Sequence, residues 1–187
     1  PLAGATPARI RMPHRNKNGQ YDNWAKTSLP WMSIGYETQI PPISTLTFYN
    51  TIANNGKMMR PRFVSKVMKN GETIMEFPPE VMRQQIAKEK SIKELQTILE
   101  QVVSVGLGKK AGSPNFKVAG KTGTAQISKG AGGYKSGGTS YLISFAGYFP
   151  ADAPRYSCIV CIQKSGLPAS GGTMCGKVFH QISEGIM

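Results

Sequence analysis

The 187 residues fit one domain with enough chain for a real core, and the 40% hydrophobic and 18% charged composition excludes a disordered or collagen-like protein. The formal net charge of +13 suits an anionic partner, but the basic residues are scattered without a continuous run, which disfavours nucleic-acid binding. No stretch approaches the ~18 consecutive apolar residues of a membrane span, and the first residues lack the order of a signal peptide.

The first predicted segment, residues 1–31, is rich in Pro, Arg, Asn and Lys and shows little periodicity. Such a composition predicts an extended or loop segment. Tyr21, Trp24 and Trp31 are the candidate anchors that would hold it against the rest of the protein.

Residues 32–110 are predicted to contain two helices separated by a hairpin. The first helix starts at Pro41-Pro42 and ends at Asn55-Gly56, since Pro is favoured at helix starts and Asn or Gly at helix ends. Two short extended runs follow, separated by Asn70-Gly71, and this dipeptide is the strongest short-range signal for a two-residue hairpin turn.

The second helix carries the clearest pattern in the chain. Ser91 and Glu94 have the spacing of a capping box, and Gly106 is predicted to end the helix. Apolar residues at helical spacing form one predicted face: Ile92, Leu95, Ile98, Leu99, Val102 and Val103.

Residues 115–187 are predicted to hold three strands and a final helix. The strand-like runs are 116–127, 141–149 and 156–163, with a glycine-rich, mobile loop predicted from Gly130 to Gly138. Connections this short favour antiparallel neighbours. The final helix is predicted to begin near Thr173, with an apolar stripe of Met174, Val178, Ile182 and Ile186.

This order of elements predicts an α+β fold, an antiparallel sheet with helices packed on it. The three cysteines do not indicate a metal or redox site, because Cys158 and Cys161 lie three apart on a predicted strand and face opposite sides. We expect three buried or semi-buried thiols, no metal and no cofactor, since His14 and His180 are also far apart in sequence.

The stretch from Gly120 to Thr124 carries the most chemical information, since it places an ammonium and two hydroxyls on a predicted strand. A phosphate-binding loop would need a glycine where Asn115 stands and a helix after the motif, whereas the following residues look extended. The other interpretation is the Lys-Thr-Gly motif of serine β-lactamases and penicillin-binding proteins.

Further blocks surround this motif in a fixed order. Together with Val118–Gln126 they resemble the transpeptidase domain of class B, division-type (FtsI-like) penicillin-binding proteins over essentially the whole chain. The blocks are Ser33–Tyr36, Ala53–Gly56 followed by Arg60-Pro61, Ser144–Asp152, and Gly171–Thr173 with Val178-Phe179. The resemblance implies that residues 1–187 are the C-terminal part of such a domain, with the fold predicted above.

The resemblance also implies roles for four residues. A stem peptide adds to the motif strand as a further strand, and Gly123 lets its backbone approach closely. The hydroxyls of Thr122 and Thr124 bind the terminal carboxylate of a D-Ala-D-Ala stem, or of a β-lactam that mimics it. Lys121 adds positive potential and supports the proton relay, and the Thr124 backbone N–H is an oxyanion-hole donor.

The catalytic serine of this family is not found in the chain, because no serine is followed three residues later by lysine. Ser113-Pro114-Asn115 matches the family's Ser-x-Asn motif, but it lies too close to Lys121 and is interpreted as a proline turn. The resemblance therefore implies a membrane anchor, an accessory domain, the nucleophile helix and the Ser-x-Asn loop ahead of Pro1.

The parent protein implied by the resemblance is a membrane-anchored, periplasmic D,D-transpeptidase that cross-links peptidoglycan and works with other division or elongation proteins. The isolated chain is expected to be inactive and to self-associate through an exposed apolar face. Two other classes stay open: a serine β-lactamase or D,D-carboxypeptidase, and a non-catalytic β-lactam sensor or division scaffold with the same fold.

Overall fold

The computed structural model describes residues 6–127 and 138–187, so the predicted loop from Gly130 lies outside the described residues except for Gly138. The helices are α1 (Ser28–Ser33), α2 (Pro42–Ala53), α3 (Glu89–Ser104) and α4 (Gly176–Ile186). The strands are β1 (Arg9–Ile10), β2 (Thr38–Gln39), β3 (Met58–Met59), β4 (Lys66–Lys69), β5 (Glu72–Glu76), β6 (Val81–Arg83), β7 (Ala119–Ile127), β8 (Ser140–Phe149) and β9 (Tyr156–Ser165). The chain divides into two compact units, Pro1–Ser44 and Thr45–Met187.

The first unit is built from short elements and turns. β1 pairs with β2 in an antiparallel ladder, and the rings of Trp31 and Tyr36 meet edge to face with their centroids 4.9 Å apart. Helix α1 begins at Ser28, so the prediction of an extended segment through residue 31 was wrong at its end. Six residues are too short for a periodic apolar pattern to show in the sequence.

Local turn chemistry placed α2 and the hairpin correctly. α2 starts at Pro42, and Asn55 and Gly56 follow it with positive φ of 53° and 94°. Strands β4 and β5 are joined by Asn70 and Gly71 with φ of 52° and 85°, the backbone of a type I′ turn. Every residue of β4 and β5 is exposed.

The hairpin is the tip of a longer two-stranded ribbon, residues 58–83. The Phe77 amide donates to the Ser65 carbonyl at 2.8 Å, the Arg60 amide donates to the Glu80 carbonyl at 2.9 Å, and β3 pairs with β6 at the base. We call this element the ribbon. Its exposed apolar side chains are Phe63, Val64, Val67, Met68, Ile74, Met75, Phe77 and Met82.

Helix α3 forms where predicted, but its predicted capping box was wrong. The helix begins at Glu89, two residues before Ser91, and Lys88 at the N-cap position makes no side-chain capping hydrogen bond. Glu89 instead lies in the first turn, where its charge is favourable to the helix dipole, and pairs with Lys93 at 2.7 Å. Of the predicted apolar face, Ile98 is 54% exposed, while Ile92, Leu99 and Val103 are buried.

The core of the second unit forms on both faces of an antiparallel sheet in the order β7-β8-β9. Successive residues of β8 point to opposite faces, so Phe145 and Tyr148, three positions apart, belong to different clusters. Helix α4 packs on the Phe145 face, whose cluster is Val103, Ala111, Val118, Ile143, Phe145, Phe149, Cys175 and Phe179. The Tyr148 cluster is Ile52, Leu99, Ala119 and Tyr148. The predicted α+β architecture is confirmed.

The predicted apolar stripe of α4 was wrong for three of its four residues, since only Met174 packs against the core. A π-helical turn over Gly171–Cys175 precedes the helix, and the buried side chains are those of Cys175, Phe179 and Ser183. Along the predicted stripe, Val178 and Ile182 are each 37% exposed and Ile186 is 48% exposed. The Phe179 ring packs between Phe145 and Phe149, with ring-centroid distances of 4.8 and 5.6 Å. This contact decides which face of α4 turns toward the sheet.

The three cysteines are free thiols with different exposure. Cys175 is buried and Cys158 is partly buried, but Cys161 is exposed, so the prediction of three buried or semi-buried thiols was wrong for Cys161. Burial raises the pKa of the Cys175 thiol above its usual value. Within residues 6–127 and 138–187, no helix has the length and apolar character needed to cross a membrane.

Candidate functional site

The Lys-Thr-Gly motif lies in β7, at the edge of the three-stranded sheet. Lys121 stands opposite Ala146 and Gly123 opposite Ser144 in the register with β8. Among the described strands only β8 pairs with β7, so the other backbone edge of β7 has no strand partner among them. The motif continues as a strand to Ile127, and this excludes a phosphate loop at the start of a helix.

Lys121 and Thr122 are brought together although successive strand residues point to opposite faces. The flexible lysine side chain lets Nζ donate to the Thr122 carbonyl at 3.0 Å and to Thr122 Oγ1 at 3.4 Å. An ammonium group can only donate hydrogen bonds. The contact therefore uses a lone pair of the Thr122 hydroxyl and leaves the hydroxyl proton available to an acceptor.

Thr124 is held in a similar way from a distant part of the chain. The Gly171 amide donates to Thr124 Oγ1 at 3.4 Å, and a backbone amide also can only donate. Within the described part of the chain, no residue accepts a proton from the Thr122 or Thr124 hydroxyl. The strand thus offers an ammonium and two O–H donors, a set that suits an anionic acceptor such as a carboxylate.

Gly123 separates these groups and has a structural reason to be glycine. A Cβ built at Gly123 would lie 2.4 Å from Ser144 Oγ on the neighbouring strand. The missing side chain therefore makes room for Ser144, while its predicted closeness to a substrate backbone stays a prediction. Sequence reasoning gave Ser144 no role, because only the pairing register of β7 with β8 reveals the contact.

The Ser113-Pro114-Asn115 segment forms a local turn, as the sequence predicts. Ser113 Oγ accepts hydrogen bonds from the amides of Asn115 at 2.8 Å and Phe116 at 3.3 Å. Asn115 Nδ2 donates to Glu184 Oε2 at 3.0 Å, so the turn is tied to the end of α4. The hydrogen bonds of its two polar side chains therefore hold the turn that precedes β7.

The comparison with known families agrees with this geometry. The family profile described as penicillin binding protein transpeptidase domain matches residues 6–184. The chain belongs to this family. The match covers the motif strand and all the blocks that carry the resemblance.

Named relatives of this transpeptidase domain include penicillin-binding protein PbpB of Mycolicibacterium smegmatis, 29% identical over 177 residues. Peptidoglycan D,D-transpeptidase FtsI of Escherichia coli is 27% identical over 170 residues. These alignments cover 89% and 90% of the chain but only 27% and 26% of the two relatives. The chain spans about a quarter of the length of the curated relatives it matches.

Among solved structures, the transpeptidase domain resembles penicillin-binding protein 3 of Mycobacterium tuberculosis complexed with aztreonam. The TM-score is 0.72 at 29% sequence identity, covering 89% of this chain and 39% of that one. The apo form of the same protein gives a TM-score of 0.71 at 28% identity. The predicted resemblance to penicillin-binding proteins is confirmed.

Proposed function

We propose that this chain supplies the Lys-Thr-Gly side of the active site of a peptidoglycan D,D-transpeptidase. On this proposal it binds the terminal carboxylate of a D-Ala-D-Ala stem peptide, or of a β-lactam that mimics the stem. The observation that carries the proposal is the donor set on β7, which combines the positive charge of the Lys121 ammonium with the hydroxyls of Thr122 and Thr124. Both hydroxyls act as acceptors in their contacts with described residues, so their protons can be donated to a ligand. Hydrogen bonds in which the donor or the acceptor is ionised are about twice as strong as neutral ones, so an ionised carboxylate is favoured as the acceptor.

The open edge of β7 supports the same proposal. An extended stem peptide can add to this edge by main-chain hydrogen bonds while its carboxylate reaches the donors. The names of the relatives point to the same chemistry, since the Escherichia coli protein is called a peptidoglycan D,D-transpeptidase and the Mycobacterium tuberculosis structure holds aztreonam.

The reaction has two steps in the longer protein that we propose. A serine hydroxyl attacks the carbonyl carbon of the penultimate D-Ala, an ester forms, and D-alanine leaves with the proton. The amine of a second stem peptide then attacks the ester, an amide forms, and the serine regains its proton. Lys121 supplies positive potential and supports the proton relay, and the Thr124 N–H donates to the oxyanion.

The nucleophile in this proposal comes from sequence outside the 187 residues, because no serine here has a lysine three positions later. We therefore expect the isolated chain to be inactive. The longer protein would be anchored in the cytoplasmic membrane, with this domain in the periplasm, and would act with other division or elongation proteins.

Labelling with a fluorescent penicillin tests the proposal. We expect covalent labelling of the longer protein and none of the isolated 187-residue chain, as seen on denaturing gels. Labelling of the isolated chain would contradict its expected inactivity, and an unlabelled longer protein would contradict the penicillin-binding function. Rapid release of hydrolysed penicillin would favour a β-lactamase or carboxypeptidase instead.

Lys164→Ala provides a matched control for Lys121→Ala. Lys164 lies on β9 of the same sheet, and its Nζ donates to the carbonyl of the next residue at 3.2 Å, much as Lys121 does. We expect Lys121→Ala to slow labelling of the longer protein by about tenfold or more, the loss expected for a charged hydrogen bond. Lys164→Ala removes the same charge and should leave the rate unchanged, so equal effects of the two would argue against a specific role of Lys121.

A further inference from the structure

The turn that leads into α4 packs against the face of β7 that carries Thr122 and Thr124. A Cβ built at Gly172 would lie 3.1 Å from Thr122 Cγ2 and 2.3 Å from the Leu107 carbonyl oxygen. A Cβ built at Gly171 would lie 2.3 Å from the Gly123 carbonyl oxygen. Two consecutive glycines are therefore what lets the turn approach the motif strand this closely.

The turn itself is held by its own hydrogen bonds. Ser170 Oγ accepts from the Thr173 amide and donates to Thr173 Oγ1, each at 3.2 Å. Ser170 is thus the N-cap of the π-helical turn. Because Ser170 and Thr173 are hydrogen-bonded to each other, the backbone of Gly171 and Gly172 between them is constrained. The surface that meets β7 is a constrained backbone rather than a set of adaptable side chains.

Contact with this backbone orients both threonine hydroxyls. The methyl and hydroxyl of a threonine share one Cβ and one χ1 angle, so the position of the methyl decides that of the hydroxyl. The Thr122 methyl is directed to Gly172, and its hydroxyl lies beside Lys121. The Gly171 amide occupies a lone pair of the Thr124 hydroxyl. The turn sets one hydroxyl by packing and the other by a hydrogen bond.

We propose that Gly171 and Gly172 are positioning residues that fix the carboxylate-binding hydroxyls of Thr122 and Thr124. The inference rests on the proposed function, because it concerns the carboxylate that this strand is proposed to bind. Selectivity for a ligand with a free carboxylate then depends on a turn that is about 50 residues away in sequence and contributes no side chain to the site.

The test compares a penicillin with its methyl ester, in which the carboxylate is masked. Acylation rate constants of the longer protein are measured with both compounds, and their ratio reports recognition of the carboxylate. We expect Gly172→Ala to lower the rate with the acid by about tenfold, the loss expected for a misplaced charged hydrogen bond, and to spare the ester. Gly185→Ala is the matched control on α4, where an added Cβ meets nothing within 4 Å.

A second variant, Thr122→Ser, keeps the proposal testable if Gly172→Ala fails to fold. Thr122→Ser keeps the hydroxyl but removes the methyl that Gly172 positions, so the acid-to-ester ratio should fall about threefold as the hydroxyl gains rotamers. A ratio that stays at the unmodified value in Thr122→Ser, or a loss shared equally by acid and ester in Gly172→Ala, would overturn the positioning role while the proposed function stands. An unmodified protein that does not prefer the acid would overturn the proposed carboxylate site itself.

Discussion

The ribbon and the three-stranded sheet are both antiparallel structures, yet they are stabilised by different parts of the chain. Every residue of β4 and β5 is exposed, and the ribbon keeps its register through its turn and its cross-strand hydrogen bonds. The sheet instead holds apolar residues on both faces and is fixed by helices and turns from distant sequence.

The contrast explains how an edge strand can carry a binding site. An isolated two-stranded hairpin is marginally stable, so strand β7 could not hold polar groups in place with only β8 beside it. The clusters on both faces anchor the sheet, and the motif of β7 can then remain exposed or half-buried without loss of order. Two pairs of substitutions and one single substitution can break or sharpen this comparison.

The largest difference is expected between Phe145→Ala in the sheet and Phe63→Ala in the ribbon. Phe145 is fully buried against Phe179, whereas Phe63 is 71% exposed. Truncating a buried Phe typically costs about 3–5 kcal/mol, and an exposed substitution changes stability by about 0.5 kcal/mol or less. Urea denaturation of the chain measures both values, and equal losses would show that the ribbon carries core contacts of its own.

A smaller difference is expected between two glycines that are required for different reasons. A Cβ at Gly147 would lie 2.4 Å from the Ala119 carbonyl oxygen on the adjacent strand, whereas Gly71 has open space but a φ of 85°. We expect Gly147→Asn to cost about 1–3 kcal/mol by overpacking. Gly71→Asn should cost less than about 1 kcal/mol, because Asn tolerates the left-handed region.

Thermal or urea unfolding of the two Asn variants separates these causes. Gly147→Ala and Gly71→Ala complete the set, since alanine fits neither a crowded strand nor a left-handed turn. Comparable behaviour of Ala and Asn at Gly71 would mean that the turn conformation is not what selects glycine there.

The smallest effect is expected from the exposed Arg60–Glu80 pair of the ribbon, whose Nε–Oε2 distance is 2.6 Å. The hydrogen bond from Arg60 lowers the pKa of the Glu80 carboxyl below its usual 4.5. Because the folded pKa is depressed, the stabilisation is present at neutral pH and is lost as pH falls through that lowered pKa. Titration of the Glu80 carboxyl by NMR should show its pKa return towards 4.5 in Arg60→Ala. An unchanged Glu80 pKa in Arg60→Ala would show that the Arg60–Glu80 pair does not stabilise the ribbon.

The sequence determined the elements whose causes are local. Asn70-Gly71 specifies a turn with positive φ at both residues, and Pro42 and Gly56 bound α2. Pro fixes its own φ at a helical value, whereas Asn and Gly tolerate the left-handed region that these turns require. The Lys-Thr-Gly strand and the family resemblance also follow from the sequence, since they depend on the order of residues along the chain.

Only the tertiary structure decided which surfaces meet. Val178 and Phe179 are adjacent apolar residues of α4, and contact with Phe145 rather than hydrophobicity turns Phe179 inward. Ser144 and Gly171 reach the motif through strand register and through a turn far away in sequence. Such contacts depend on how separate elements pack. The residue pattern of one helix or strand does not show which other element will lie against it.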